Sequence, residues 1–376
     1  MSEMRIPLSA PDIDEDDVAA VVGVLRSSRL SLGPVLGEFE SCFAEYVGTP
    51  AAIAVSSGTA GLHLALLALD IGAGDEVIVP SFTFIAAANA IRYVRAVPVF
   101  VDVDPVTLNM DATCVERAIT QRTKALMVVH SFGCPADVGA LMGIAERHGL
   151  KVIEDACETI GAEYRGRRVG TFGDAGVFAF YPNKQITTGE GGMVVARDAV
   201  VAASVRSLRN QGRRPTDDWF EHSELGYNYR ISEMNCALGL AQLRRIDGIL
   251  ERRRAVAEEY DSRLHGCADL VLPPLSVPDC IVSWFVYVVR LSARFSAADR
   301  DAVRRRLQER GIGCGRYFAP IHLQAAYRRQ PSAGVRLPVT ESQAERTLAL
   351  PFFNRIKTGQ IAEVCGVLLE VIGQVR

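Results

Sequence analysis

Through the first 200 residues, short runs of continuously apolar positions alternate with longer stretches whose apolar residues recur every three or four positions. The runs, rich in Val and Ile, predict strands at 51–55, 77–80, 97–103, 125–130, 151–154, 176–180 and 191–196. The periodic stretches predict helices at 61–69, 85–94 and 138–149. Strands that are apolar throughout, rather than on alternate positions, fit burial on both faces. Alternating strands and helices of this kind predict an α/β domain built on a mostly parallel seven-stranded sheet with helices on both sides.

Beyond residue 200 the pattern changes. A long polar helical stretch over 232–264 leads to a Pro-rich break at 272–278. A strand at 282–291 and helices at 296–310 and 359–373 follow, and they predict a smaller α+β domain. The expected organisation is an N-terminal segment 1–30, with a helix at 14–27, packing with the small domain. A large domain spans 31–250 and the small domain 251–376. No internal repeat or low-complexity tract interrupts this plan.

Composition narrows the classes of function. The chain has 376 residues, 49% hydrophobic and 23% charged, which is too apolar for disorder and enough for a sizeable core. Lys and Arg number 41 against 44 Asp and Glu, leaving −3. That balance gives no broad cationic field for nucleic acid or an anionic membrane. No run approaches the roughly 18 apolar residues of a membrane span, and the acidic start MSEMRIPLSAPDIDEDD is unlike a signal peptide. Nine Cys without paired spacing read as free thiols, so a reducing cytoplasm is the expected compartment. Four of the 41 basic residues are lysines: Lys124, Lys151, Lys184 and Lys357. In such a chain each lysine invites the question of what arginine does not do in its place.

Three segments carry candidate chemistry. In SSGTAGLHLALLAL a strand runs through Ser56-Ser57-Gly58-Thr59-Ala60 directly into a helix. The helix N-terminus offers free N–H groups and a favourable dipole to a phosphate, although an ordinary capped turn has the same look. In VIEDACE, Asp155 stands at the carboxyl end of a buried strand, where open α/β sheets place ligand contacts. It fits either a partner for a protonated heterocycle or a helix cap. In FAFYPNKQITTGEGGMVV, Lys184 lies in a polar loop between two strands. Lysine loses its proton and attacks carbonyls, which arginine does not; a solvated loop lysine is the other reading. ERRR (251–254) and RRR (304–306) read as solvated helix faces, and Cys157 as packing. His63, His148 and His265 have no metal-ligand spacing, and no metal is expected. GRRVG (166–170) predicts a hairpin.

Taken together, the order of phosphate cup, PSFTF turn, strand-end Asp and lysine before a Gly-rich hairpin resembles the aspartate-aminotransferase-like, fold-type I enzymes that use pyridoxal 5'-phosphate. It is most similar to the DegT/DnrJ/EryC1/StrS sugar aminotransferases. LSLGPVLGEFE (30–40), GYNYRISEMNCALGLAQL (226–243) and YFAPIHLQAAY (317–327) extend the resemblance over nearly the whole chain. The resemblance implies that Lys184 holds the cofactor as a Schiff base, that Asp155 keeps its ring nitrogen protonated and that Phe84 stacks on the ring. It places Gly58, Thr59 and Ala60 in the phosphate cup and Glu158 near the cofactor hydroxyl. It has Asn228 reach the phosphate of a neighbouring subunit and His322 approach the sugar nucleotide. Relatives commonly carry a phosphate-binding serine five residues before the lysine, where this chain has Ala179.

The implied activity is amino-group transfer from glutamate to a nucleotide-linked keto-deoxysugar, by a homodimer with shared sites. The YPNK segment is most like relatives that aminate C4 of 4-keto-6-deoxyhexoses, such as perosamine synthases. A 3-keto sugar or keto-cyclitol as acceptor, or a sugar dehydratase on the same fold, are the alternatives. Lys184 counts against the dehydratases, which typically carry histidine at that position.

Overall fold

The computed structural model describes residues 4–214, 216–218, 220–328 and 334–375. All seven strands expected in the first 200 residues form and enter one sheet. These are β1 (Ala51–Val55), β2 (Glu76–Pro80), β3 (Val97–Val101), β4 (Thr123–Val129) and β5 (Lys151–Asp155). The GRRVG segment then closes the small hairpin of β6 (Glu163–Tyr164) and β7 (Arg167–Arg168), before β8 (Ala175–Ala179) and β9 (Gly192–Ala196) complete the sheet. Its order is β1-β9-β8-β5-β4-β2-β3, and only β9 runs against its neighbours. The five strands from β3 to β8 pair in parallel, so their carboxyl ends share one edge.

Helices α1 (Glu15–Leu25) and α2 (Pro34–Val47) precede the sheet. Within it come α3 (Gly58–Ala68), α4 (Ala86–Tyr93), α5 (Ala112–Ala118) and α6 (Val138–His148), with α7 (Ala199–Arg209) after β9. Alternate strand residues supply three hydrophobic clusters. Ile53, Val79, Met127, Ile153 and Val177 face α3, α4 and α7. Phe178 and Met193 face Phe39 and Phe43 of α2, while Leu126, Val128 and Val152 meet Leu141 and Ile144 of α6. α3 is apolar on every side, and Leu62, Leu64, Ala65 and Leu66 are all buried. The central position of α3 therefore follows from its sequence.

Four expectations change. Arg253 of ERRR is buried and not on a solvated face. The helix expected over 232–264 is two helices, α8 (Glu233–Arg244) and α9 (Ile246–Leu264), parted at Arg245 (φ −115°, ψ 18°). Arg245 pairs with Asp12, Asp14 and Asp17 of the N-terminal segment, a tertiary cluster that no local pattern announces. The N-terminal segment is itself divided. Ile6 bridges to Ile312 in the small-domain core, whereas α1 packs along α8. The strand expected at 282–291 shortens to Tyr287–Leu291. The Trp284 and Phe285 carbonyls each accept a 2.7 Å hydrogen bond from the buried Arg253 guanidinium, so no neighbouring strand takes them.

The small domain sheet is β10 (Leu270–Val271), β12 (Tyr287–Leu291) and β13 (Thr347–Leu350). β11 (Cys280–Ile281) instead adds to the β6–β7 hairpin. α10 (Ala297–Glu309), α11 (Pro338–Arg346) and α12 (Thr358–Gly373) complete the domain. α9 serves both halves: Ile246 and Ile249 lie in the α2 core, and Val256, Tyr260 and Leu264 in the small-domain core.

Candidate active site

The carboxyl ends of the parallel strands open into a cavity of about 500 Å³, which the small domain covers from one side. Its wall begins where β1 turns into α3. Ser57 caps the helix, its Oγ accepting the Ala60 N–H at 3.1 Å. The Gly58 and Thr59 N–H groups have no partner within the helix, and both residues line the cavity. A side chain at Gly58 has no room: its Cβ would stand 2.7 Å from Ala179 Cβ and 2.9 Å from Cys157 Sγ. Gly192 of β9 is equally constrained, because a Cβ there would meet the Ser57 backbone at 2.7 Å. These glycines let the strand and the loop pass close beside the first turn of α3, which stays open to a ligand.

Asp155 ends β5 in the floor, where its Oδ1 accepts the Cys157 N–H at 3.1 Å. Lys184 comes in from the β8–β9 loop. Its Nζ lies 3.5 Å from Glu158 Oε1 and 4.0 Å from the centre of the Phe285 ring. Glu158 Oε2 accepts the Phe132 N–H at 2.8 Å. Burial pushes the Glu158 carboxyl above its ordinary range, Lys184 opposes that shift and Asp155 adds to it. Cys157 also lines the cavity; burial, with Asp155 beside it, pushes its thiol well up, which fits packing and not nucleophilic attack.

Gly58, Thr59, Phe84, Asp155, Glu158 and Lys184 thus converge on one cavity. Phe84 stands at its mouth and is 61% exposed. Ala60, Asn228 and His322 lie outside the lining. Ala60 is buried within α3. Asn228 is exposed, in a segment tied to the end of β1 by the Ser56 N–H donating to the Tyr229 carbonyl. His322 is buried, Nδ1 2.6 Å from Ser81 Oγ and Nε2 3.3 Å from Glu341 Oε1, so both ring nitrogens are engaged. Sequence reading passed over Phe285, Arg316, Tyr317 and Phe318, which bring the small domain to the cavity. The only signal for the last two was their place at the start of YFAPIHLQAAY.

Comparison with known proteins decides what this arrangement belongs to. Residues 11–369 match the DegT/DnrJ/EryC1/StrS aminotransferase family. The chain belongs to that family. Among solved structures, S. venezuelae DesV, captured in complex with ketimine intermediate, is 39% identical with a TM-score of 0.90 over 98% of this chain and 99% of its own. The aminotransferase TlmJ from Streptoalloteichus hindustanus is 36% identical, with a TM-score of 0.92 over 98% and 99%. Helicobacter pylori PseC, an aminotransferase involved in the biosynthesis of pseudoaminic acid, is 26% identical with a TM-score of 0.93 over 99% and 100%. The protein is a pyridoxal-phosphate-dependent sugar aminotransferase with the fold-type I architecture. Its substrates are a sugar and an amino donor. No helix among the described residues is long and apolar enough to cross a membrane.

The residues present fit the cofactor. The first turn of α3, with Thr59, would suit a phosphate, and a Cβ at Gly58 would crowd Ala179 and Cys157 beside it. Ala179 supplies no hydroxyl to that turn. Asp155 has a carboxylate that would suit a protonated ring nitrogen, and among the described residues Lys184 is the one amine in the lining.

Proposed function

We infer that this enzyme transfers the amino group of glutamate to a nucleotide-linked 4-keto-6-deoxyhexose. The convergence of Lys184, Asp155 and the α3 N-terminus on one cavity that Arg316 also lines supports amino transfer, and the likeness of the YPNK segment to C4-aminating relatives supports the 4-keto sugar. Bound there, pyridoxal phosphate supplies a carbonyl that condenses with amines and a ring that accepts the charge developing at the substrate carbon.

The chain's own residues divide the remaining work. The α3 N-terminus and Thr59 would hold the phosphate, Asp155 would keep the ring nitrogen protonated, and Phe84, at the cavity mouth, would stack on the ring. Lys184 Nζ moves the proton between the two carbons that exchange the amino group, acting as general base and then general acid. Both substrates are anionic, and Arg316, about half exposed and 4.0 Å from Asp301, gives the cavity a cation for their carboxylate or phosphate oxygens. His322, locked between Ser81 and Glu341, holds the segment that begins at Arg316 against the end of β2.

The exposed position of Asn228 supports a homodimer in which this side chain completes the partner's phosphate site. The near-neutral charge and nine free thiols support a cytoplasmic enzyme.

A panel of nucleotide-linked 3-keto and 4-keto sugars, each incubated with glutamate, tests the substrate. 2-Oxoglutarate release is expected with 4-keto-6-deoxyhexoses, and turnover confined to 3-keto sugars or keto-cyclitols would overturn the C4 assignment. Mixed dimers of Lys184→Ala and Asn228→Ala chains test the shared site. With sharing, both lesions fall in one site and the other recovers wild-type composition, so activity returns on mixing. Without sharing, mixing gives only the parents' average.

A further inference from the structure

Glu158 is built into the floor of the cavity more firmly than a solvent-seeking acid needs. Its side chain and that of Lys184 are 9% and 13% exposed, and Oε1 stands 3.5 Å from Nζ. The neighbour of the lysine fixes that separation. Gln185 Nε2 donates to the Glu158 carbonyl at 2.7 Å and to the Ser283 carbonyl at 3.0 Å. From the other side, Phe132 holds its N–H on Oε2 with a left-handed backbone (φ 59°), which costs a non-glycine residue energy. Both anchors leave Oε1 free to meet the lysine. The other groups facing Glu158 are Asp155 and Cys157 from the end of β5 and Tyr317 from the small domain. One amine thus confronts two buried carboxyl groups, and it fully balances only one of them.

We propose that Glu158 is the proton-transfer partner of Lys184. When the lysine amine must be neutral, Oε1 takes its proton: the N–H bond breaks, its electron pair stays on nitrogen, and an O–H bond forms from a carboxylate lone pair. When the ammonium is needed again, the same proton returns. No other reagent enters. The step keeps the proton between two largely buried side chains, and the elevated proton affinity that burial gives Glu158 matches the task. The inference rests on the amino-transfer reading only for the reaction in which the proton is used.

Two measurements on Glu158→Gln, which keeps the shape and the acceptor for Phe132, test it. In the cofactor-free protein, the wild-type-minus-variant infrared spectrum should show a protonated-carboxyl stretch that disappears on raising the pH, with a midpoint above the ordinary carboxylate range. In the loaded enzyme, turnover should fall on the order of 10²-fold. The decline in kcat/KM towards acid pH should vanish. Glu158→Asp, still ionisable, should keep that acid limb with a moved midpoint, which a purely structural acid would not require. The proposal is overturned if the difference spectrum lacks the stretch above the ordinary range. Wild-type turnover and pH profile in Glu158→Gln, or a folded Glu158→Asp without an acid limb, would overturn it equally. Should wild-type enzyme transfer no amino group to any keto sugar, the functional reading fails while the infrared titration still decides Glu158.

Discussion

Glu154 and Glu158 are two buried carboxyl groups on the same stretch of chain, and their surroundings give them opposite characters. Glu154, in β5, is wholly buried and accepts the N–H groups of Gly170, Phe172 and Gly173 at 2.6–2.8 Å. His130 Nε2 completes its shell at 3.1 Å, and His130 Nδ1 in turn accepts the Ala136 N–H. Burial pushes the Glu154 carboxyl up, but His130 and the backbone N–H groups outweigh it and hold the group below its ordinary range. Glu158 has one backbone N–H and a lysine at 3.5 Å, and burial wins. A saturated carboxylate is a structural knot. An undersaturated one beside an amine keeps a choice of protonation state, and this molecule places that choice inside the cavity.

The comparison breaks most sharply at the amine. Lys184→Ala should fold like wild type, because the side chain adds little apolar burial, and lose amino transfer by roughly 10⁴-fold or more. Denaturant midpoints and single-turnover rates check both halves, and near wild-type turnover would remove Lys184 from the chemistry. Asp155→Asn should follow, its loss on the order of 10²–10³-fold in transfer with a much smaller change in cofactor affinity. Equal losses in rate and affinity would mark Asp155 as a mere anchor.

Glu154→Gln should damage the fold instead. It puts an NH2 where one carboxylate oxygen now accepts a backbone N–H, and breaking a buried pair of this kind costs about 3–5 kcal/mol. Urea unfolding at neutral pH reads that cost; a loss below 1 kcal/mol would show that the knot is not structural.

The two acids should also respond to pH with opposite signs. Glu154 has a lowered folded value, so its contribution is present above the ordinary 4.5 and fades as pH falls through the folded value. The stability gap between wild type and Glu154→Gln should therefore narrow in acid. Glu158 has a raised folded value, so its contribution is present below 4.5 and is lost as pH rises through the folded value. Wild type should lose stability relative to Glu158→Gln as pH rises from 4.5 towards neutrality. Parallel unfolding curves across that range for both pairs would erase the distinction.

The smallest expected effect is at the cradle. Gly58→Ala forces a Cβ against Ala179 and Cys157, with a cost of about 1–3 kcal/mol and a weakened hold on cofactor phosphate. An unchanged affinity and midpoint would mean that the wall yields.

Much of this protein was decided locally and is therefore legible in its sequence. The seven strands, the helix that follows SSGTA and the close approach at Gly58 follow from side-chain pattern and backbone freedom, which neighbouring residues already fix. Asp155 stood out at the end of such a strand, and Lys184 as one of four lysines, in a loop between two strands. What the sequence left open depends on groups far apart in the chain. The break at Arg245 needs Asp12, Asp14 and Asp17; the shortened β12 needs Arg253 at two carbonyls. His322, expected at the sugar, turns to Ser81 and Glu341, and Arg316 enters the cavity only because the small domain folds over it. Likewise Glu154 and Glu158 are the same residue type four positions apart, one inside β5 and one just past it. The number of N–H groups that the fold brings to each carboxyl separates them, because in a dry interior hydrogen bonds and neighbouring charges, not residue type, set where a proton resides.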